Sequence, residues 1–272
     1  MIHESVAIFF FAHQDDEFAV FHQLCQERRA GRRICCVYLT NGEASGVTAP
    51  ARNAESVAVL LKLGVAQRDI LFVGQELSIG DGALPDNMDA ARSWLVAWMA
   101  QCSDVAATYV PAWEGGHQDH DAVHAIVVGA MAQSNTLDKA RQFSLYNSYR
   151  CLQPFFRVLS PLAANGQVVK SRIPYADRLW FLALCLGYRS QARTWIGMFP
   201  FVLWNYLVKG AQGLQPICLE RLRFRPHPGT LYYESRNFYT WPRFSAKLQD
   251  HWQTHRVVYV SDSQRTGSEP EV

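Results

Sequence analysis

Two clusters of histidine and acidic residues have the chemistry and the spacing expected of metal ligands. The first cluster consists of His13, Asp15, Asp16 and Glu17, and the second of His117, Asp119, His120 and His124. Capping explains acids at the start of a helix, but it does not explain a histidine beside three successive acids. The mutual repulsion of these acids must be offset, and a divalent cation would offset it. The first cluster therefore predicts a metal site, with an ordinary helix start as the alternative.

The spacing within the first cluster also suggests a division of labour. His13 and Asp16 are three residues apart across a tight turn, so both side chains can point at one ion. Asp15 lies between them and would face a water molecule bound to that ion. A carboxylate in that position can accept a proton from the water as it attacks a substrate.

The second cluster follows Gly115 and Gly116, which allow the chain to turn sharply. His120 and His124 are four residues apart and share one helix face, with His117 one turn earlier. A polar helix start with surface histidines is the alternative. Both clusters follow predicted strands of one sheet, however, so both should reach one crevice. Two histidines and one carboxylate leave a coordination position open, as in a catalytic zinc site.

Apolar patterns in the first half of the chain alternate between strand and helix. Continuous apolar runs predict buried strands over residues 6–12, 34–39, 70–73 and 105–111. Amphipathic patterns predict helices over residues 18–29, 52–63, 88–99 and 119–131. This order predicts an α/β fold with a Rossmann-like, mostly parallel sheet and helices on both faces. Ligand sites in such sheets lie beyond the carboxyl ends of the strands, where both clusters stand.

The second half of the chain is less regular and rich in aromatic residues. We expect an α/β catalytic core with both motifs over residues 1–135. Residues 136–260 should complete the same domain and the substrate site, and 261–272 should form a flexible tail. Apolar stretches at 175–188 and 196–208 predict a helical lobe packed on the sheet, or else a surface that contacts a membrane or a lipid-linked substrate. Residues 221–233 are interpreted as a hairpin that turns at 226–229.

Composition excludes several classes of protein. The net charge of +2 is too small for a nucleic-acid-binding protein. The seven cysteines form no CxxC pair, which argues against a disulfide framework or a cysteine zinc site. The apolar run at 6–12 has no cationic leader, so it does not resemble a secretory signal. We therefore expect a cytoplasmic protein, with peripheral membrane association as an open alternative.

Two motifs closely resemble those of the N-acetylglucosaminyl deacetylase family, also called LmbE-like or PIG-L-like. Residues 12–17 resemble its Ala-His-Pro-Asp-Asp-Glu motif, with Gln14 in place of proline. Residues 117–120 resemble its His-Pro-Asp-His motif, with Gln118 in place of proline. Weaker similarities lie at 40–43, 52–55 and 81–84, and beyond residue 130 the match is thin. Some members carry a tyrosine where this chain has Gly115.

The resemblance implies a function and a role for each matching residue. The metal, Zn²⁺ with Fe²⁺ as an alternative, would be bound by His13, Asp16 and His120. The resemblance also implies that Asp15 is the general base and that His117 is an electrophile or general acid. Asp119 would orient a histidine. Arg52 and Asp81 would contact sugar or phosphate. The implied reaction is hydrolysis of the acetamide of an N-acetylated amino sugar, free or linked to a lipid or a nucleotide.

Three other functions remain open at the level of sequence. A non-haem iron oxygenase also uses two histidines and a carboxylate, but it would not explain Asp15 and His117 beside them. A non-catalytic sugar-binding relative would have no need of an intact Asp15. Within the hydrolases, the substrate could instead be the amide of a thiol conjugate.

Overall fold

The computed structural model describes residues 5–43 and 46–257. Its strands are β1 (Val6–Phe11), β2 (Arg33–Tyr38), β3 (Ile70–Phe72), β4 (Val105–Pro111), β5 (Ala140–Phe143), β6 (Tyr146–Asn147), β7 (Arg157–Val158), β8 (Val169–Arg172) and β9 (Ala211–Pro216). Seven of them form one sheet in the order β3-β2-β1-β4-β5-β9-β8. The strands β1 to β5 are parallel, whereas β9 and β8 extend the sheet in antiparallel orientation. The predicted α/β class with a mostly parallel sheet is confirmed.

Helices cover both faces of this sheet. The α-helices are α1 (Phe21–Arg29), α2 (Ala49–Lys62), α3 (Val73–Glu76), α4 (Met88–Met99), α5 (Gln118–Gln133), α6 (Tyr175–Cys185), α7 (Ala192–Trp204), α8 (Tyr232–Ser235) and α9 (Trp241–His255). One core lies between the sheet and α4, α5 and α9, and a second lies between the sheet and α1, α2, α6 and α7. Along β1, Ile8 and Phe10 belong to the first core, and Phe9 and Phe11 to the second. The strand is apolar throughout because both of its faces are covered.

Short 3-10 helices and one π-helical turn connect these elements. They are Asp16–Val20, Gln67–Asp69, Leu84–Asp86, Leu137–Lys139, Ala163–Asn165, Arg189–Gln191 and Leu219–Arg223, with the π turn at Asn205–Lys209. The helix predicted over 18–29 thus begins as a 3-10 turn and becomes α-helical only at Phe21. This tighter turn carries Asp16 directly after β1.

The hairpin predicted over 221–233 is wrong. This region contains a 3-10 helix, an irregular turn and α8. Side chains hold the turn where strand pairing was expected: Arg221 donates from Nη2 to the carbonyl of Pro226 at 2.7 Å. Arg225 donates from Nη2 to the carbonyl of Gly229 at 2.8 Å. The residues favour a turn, but within the described residues neither side of this turn forms a strand.

Strands from the second half of the chain complete the sheet that the first half begins. Gln142 of β5 pairs with Gln215 of β9, and β5 also pairs with β4. The domain bounds themselves stay a prediction, and the predicted tail at 261–272 lies outside the described residues. In the described part of the chain, no helix has the length and apolar composition that crossing a membrane requires.

Candidate metal centre

The two clusters meet where the strand order of the sheet reverses. The strands β1 and β4 are parallel neighbours, and each ends at the loop that carries one cluster. Such a reversal is the usual location of a ligand crevice in open α/β sheets. The second loop enters α5 with His117 as its N-cap, since the backbone N–H of Asp119 donates to His117 Nδ1 at 3.2 Å.

Three buried side chains converge in this crevice. His120 Nε2 lies 3.0 Å from Asp16 Oδ1 and 3.3 Å from His13 Nδ1. The three donor atoms all lie within 4.8 Å of one another. The other oxygen of Asp16 accepts the backbone N–H groups of Ala12, at 3.0 Å, and of His13, at 2.8 Å. This anchoring fixes the carboxylate with Oδ1 directed at His120 and Oδ2 3.9 Å from His13 Nδ1.

The chemistry of this donor set fits a divalent cation. Two imidazole nitrogens in contact can share one proton at most, whereas a cation would accept the lone pairs of both. Two nitrogens and one carboxylate oxygen are typical ligands of zinc and of non-haem iron. With His13, Asp16 and His120 as ligands, further positions would stay open to water or substrate.

Asp119 supports the ring of His13 from the opposite side. Its Oδ2 lies 3.0 Å from His13 Nε2. The carboxylate is fully buried and accepts the backbone N–H groups of Gly82 at 2.6 Å and Leu84 at 3.1 Å. A proton on Nε2 of His13 would leave Nδ1 free to bind a cation, which is the usual carboxylate–histidine–metal arrangement. The histidine contacted by the predicted orienting residue is therefore His13.

Asp15 stands beside the three converging residues without contacting their donor atoms. Its Oδ2 accepts the indole N–H of Trp195 at 3.2 Å, and its Oδ1 lies 3.5 Å from Arg52 Nη2. Its backbone φ of 125° is a strained value for a residue other than glycine. The backbone N–H of Asp15 donates to the buried carboxylate of Glu17 at 3.0 Å, which helps to hold this conformation.

The two adjacent aspartates are placed in opposite electrostatic environments. Burial raises the pKa of Asp15 to about 7, against the opposing charge of Arg52. Burial would also raise the pKa of Asp16, but the charge and the hydrogen bond of His120 lower that pKa to about 2. Divergent pKa values in neighbouring carboxyls are typical of sites in which one stays ionised and the other exchanges a proton.

His117 presents its other ring nitrogen to the crevice. Because Nδ1 accepts a hydrogen bond, the proton of the neutral ring is on Nε2. Nε2 lies 3.7 Å from Asp81 Oδ1. Burial, and then the charge of His13, lower the pKa of His117 to about 4. At neutral pH this imidazole is therefore an uncharged hydrogen-bond donor.

Arg52 and Asp81 border the same crevice. Arg52 is only 3% exposed and donates to the carbonyls of Gly42 at 2.6 Å and Gln14 at 2.7 Å, so it links two loops beside Asp15. Asp81 Oδ1 lies 3.2 Å from His13 Nε2. Burial opposes ionisation of Asp81, yet the charge and hydrogen bond of His13 hold its pKa well below the ordinary value. Contact of either residue with a sugar or a phosphate stays a prediction.

The two glutamines that stand in place of the family's prolines keep the loops in place by other means. Gln14 donates from Nε2 to the carbonyl of Asn41 at 3.2 Å and to Oδ1 of Asn53 at 2.7 Å. Gln118 is the first residue of α5, and its Nε2 lies 3.5 Å from the carbonyl of Gly82. Hydrogen bonds between loops thus replace the restraint of a proline ring.

Trp195 and Tyr146 belong to the site but are not predicted from the sequence, and His124 lies farther from the site than its place in the second cluster suggests. Trp195 has no motif around it, although its spacing from Met198 and Val202 marks the inward face of α7. Tyr146 packs its ring 5.4 Å from that of His120, and no sequence signal predicts this contact. His124 lies outside the crevice, where its Nδ1 is 2.7 Å from the carbonyl of Pro111.

A cavity of about 1030 Å³ opens from these residues. Its lining includes arginine and aromatic side chains: Arg193, Arg236, Phe156, Tyr232 and Phe238. The volume is at the upper end of the range for small-molecule sites. Next to the candidate metal ligands, the cavity therefore has space for a molecule larger than an acetamide.

Comparisons with known proteins identify a matching family and solved structures with a similar fold. Residues 8–131 match the protein family described as PIG-L: GlcNAc-PI de-N-acetylase. No curated protein matches the chain. The solved structure of the zinc-inhibited form of teicoplanin deacetylase is similar with a TM-score of 0.60 and 15% identity, over 79% of this chain and 98% of that one.

Two further solved structures share the fold. An antimicrobial pseudoaglycone deacetylase has a TM-score of 0.58 and 17% identity, over 83% of this chain and 99% of that one. The N,N'-diacetylchitobiose deacetylase of Pyrococcus horikoshii has a TM-score of 0.55 and 15% identity, over 78% and 83%. The predicted family is thus confirmed over the part that holds both clusters: residues 8–131 of this chain are a PIG-L family domain.

Proposed function

We propose that this chain is a zinc-dependent N-deacetylase that hydrolyses the acetamide of an N-acetylated amino sugar of the N-acetylglucosamine type. One observation carries the proposal: the donor atoms of His13, Asp16 and His120 converge, with the carboxylate of Asp15 beside them and bound to none of them. The match to the PIG-L family supports the choice of an acetylated amino sugar. The products would be the free amine and acetate.

In this proposal His13, Asp16 and His120 hold the metal. Bound Zn²⁺ would lower the pKa of a water molecule to about 7 and polarise the acetyl carbonyl. Fe²⁺ is an alternative because the ligand set does not select strongly between the two. The contact of Asp119 with His13 would orient the imidazole and raise its basicity.

Asp15 would accept the proton of the attacking water. Burial keeps the pKa of this carboxyl near 7, so at neutral pH it can both take and return a proton. The hydrogen bond from Trp195 Nε1 to Oδ2 would orient the carboxylate during the transfer. Positioned proton transfer of this kind typically contributes about 10² to 10⁴-fold in rate.

His117 would stabilise the negative charge that develops on the acetyl oxygen. Its Nε2–H is a neutral donor at the edge of the crevice, which suits an electrophilic role. Because its pKa is about 4, His117 is not an imidazolium at neutral pH and so is a poor general acid. The departing amine would therefore take its proton from Asp15, which has just received one from the water.

Acetate release tests the proposal. Protein of known metal content would be assayed on a panel of N-acetylglucosamine derivatives, and we expect release from at least one of them. Asp15→Asn should retain the metal and lose about 10² to 10⁴-fold in turnover, because the amide cannot accept the proton. His120→Ala should lose both metal and activity. A near-normal rate in Asp15→Asn would eliminate Asp15 as the base.

A further inference from the structure

The helices α6 and α7 leave apolar side chains in solvent. On α7 the inward side chains Trp195, Met198 and Val202 are buried, whereas Ile196 is 77% exposed and Trp204 is 58% exposed. A helix that is apolar on all sides is normally covered on all sides. This one is covered on one side only.

The neighbouring helix α6 repeats the pattern. Its Phe181 is fully buried against Tyr206 of the π turn, with ring centroids 5.8 Å apart. Its outer side chains include Tyr175, which is 65% exposed, and Leu179, which is 50% exposed. Leu186, just after the helix, is 67% exposed. Large exposed apolar surfaces of this kind mark contacts with a partner or a membrane.

Positive charge is concentrated in the same part of the chain. Residues 151–210 contain seven lysines and arginines and one acid, whereas the whole chain has 26 cations and 24 acids. The single acid, Asp177, is paired with Arg29 of α1 at 3.2 Å. The net charge of this segment, +6, exceeds the net charge of the whole chain, +2, so the remainder of the chain is slightly acidic.

Three of these cations lie near one another at the end of the π turn, and a fourth lies beside an exposed tyrosine. Burial, and then the nearby charges of Lys170 and Arg157, lower the pKa of Lys209 at the end of the π turn. The guanidinium of Arg178 lies 6.0 Å from the ring centroid of Tyr175. Exposed tryptophan and tyrosine beside lysine and arginine are typical of surfaces that lie in the headgroup region of a membrane.

We propose that the outer surface of α6, α7 and the π turn, with its surrounding lysines and arginines, binds a membrane that contains anionic lipids. We call this surface the docking face. The proposal is independent of the proposed function, since it uses none of the residues of the metal centre. Neither helix is long enough to cross a bilayer, so both would lie in the plane of its surface.

Charge favours a lipid surface over a second copy of this chain. A symmetric dimer through the docking face would bring the same patch together from both subunits. Each patch would then oppose lysines and arginines with lysines and arginines, because the only acid of the segment is already paired. Anionic headgroups supply the complementary charge for the lysines and arginines near the surface.

The docking face is continuous with the mouth of the cavity. Residues Arg193, Gly197 and Met198 of α7 line the cavity, and Ile196 is the immediate neighbour of Gly197 on the exposed side. A docked molecule would therefore hold its cavity beside the lipid surface.

Vesicle flotation of the full chain tests the proposal. We expect binding to phosphatidylcholine vesicles that contain phosphatidylglycerol, weak binding to phosphatidylcholine alone, and loss of binding at high salt. Ile196→Glu should lower the partition coefficient at least about tenfold, because it removes buried apolar area. Lys170→Gln should lower it about fivefold, which is the loss of one cation near the surface.

The matched control is Val96→Glu. Val96 is 47% exposed on α4, which packs on the opposite face of the sheet, so the same kind of substitution should leave vesicle binding unchanged.

The proposal is overturned if wild-type protein does not bind anionic vesicles, or if Val96→Glu and Ile196→Glu reduce binding equally. A dimer that Ile196→Glu dissociates, without vesicle binding, would assign the face to a second copy instead. Hydrolysis of a water-soluble substrate should be the same in all variants, so this test is separate from that of the proposed function.

Discussion

At the scale of single residues, Asp15 is held by contacts from three separate parts of the chain. Its strained backbone is supported by Glu17, one carboxylate oxygen lies near Arg52, and the other accepts the indole N–H of Trp195. A carboxylate restrained in this way has lost its rotational freedom before any substrate arrives. Such preorganisation is what a general base requires for efficient proton transfer.

Trp195→Phe would remove the hydrogen bond to Asp15 and keep an aromatic ring at this position. Phenylalanine keeps most of the apolar contact with Phe18, whose ring centroid lies 5.1 Å from that of Trp195. Since a hydrogen bond to a charged group contributes about 1.5–3 kcal/mol, we expect kcat to fall about tenfold or more, with unchanged metal content. Steady-state rates and metal analysis of the same preparations would measure this.

Trp204→Phe provides the control for that substitution. Trp204 is at the end of the same helix and is exposed, so its replacement should leave kcat at the wild-type level. Equal rates for Trp195→Phe and Trp204→Phe would show that the indole N–H has no part in positioning Asp15.

At the scale of elements, the turn between β4 and α5 decides where His117 and His120 point. Gly115 has a φ of +69°, a value that other residues adopt with strain. A side chain on Gly116 would place Cβ 2.0 Å from the carbonyl oxygen of Tyr146. The two glycines are thus required for different reasons, one by conformation and the other by close approach of β6.

Gly116→Ala should therefore destabilise the protein by about 3 kcal/mol, because a backbone carbonyl must shift to admit the new methyl group. The matched control is Gly197→Ala within α7, where a Cβ meets nothing within 4 Å. This control should gain about 0.5–1 kcal/mol from the lower entropy of its unfolded chain. Urea unfolding measures both, and equal stability of the two variants would contradict the steric argument.

The bounds of an element could be predicted where its apolar residues follow one unbroken pattern. The bounds of the helix at 88–99 and the strand at 105–111 agree with the structure, because each has an unbroken amphipathic or apolar pattern. The region 221–233 could not be predicted in the same way. Its turn residues are compatible with a hairpin, but strand pairing depends on neighbours that only the fold supplies.

At the scale of the whole molecule, stability should depend on pH through a buried histidine of the second cluster. Burial lowers the pKa of His124 to about 4, although its hydrogen bond with the carbonyl of Pro111 opposes this. In the unfolded chain the pKa returns to about 6.5. The unfolded state therefore binds the proton more readily, so this contribution is complete above pH 6.5 and is lost as pH falls towards 4.

Substitution with asparagine isolates this contribution. In His124→Asn the side-chain amide can still donate to Pro111, but it does not titrate. Between pH 7 and pH 5 we expect the wild type to lose about 2 kcal/mol more of its unfolding free energy than the variant does. Urea titrations at the two pH values measure the difference. Parallel losses in both proteins would show that His124 is not the titrating group.

Local sequence patterns were sufficient to identify the residues that could do chemistry and the elements on which they lie. His13, Asp15, Asp16, His117 and His120 are adjacent to strong strand and helix patterns, and parallel strands end at the same edge of a sheet. These are local properties of the chain, together with one topological rule. They were enough to predict the family and the type of fold.

The contacts between these side chains, in contrast, depend on how the chain folds. The fold brought Trp195 to Asp15 across 180 positions of sequence, placed Tyr146 against His120, and left His124 outside the crevice. It also left the outer sides of α6 and α7 uncovered. Contacts between distant segments depend on how whole elements pack against one another. Apolar residues on a helix look the same in the sequence whether a partner covers them or not.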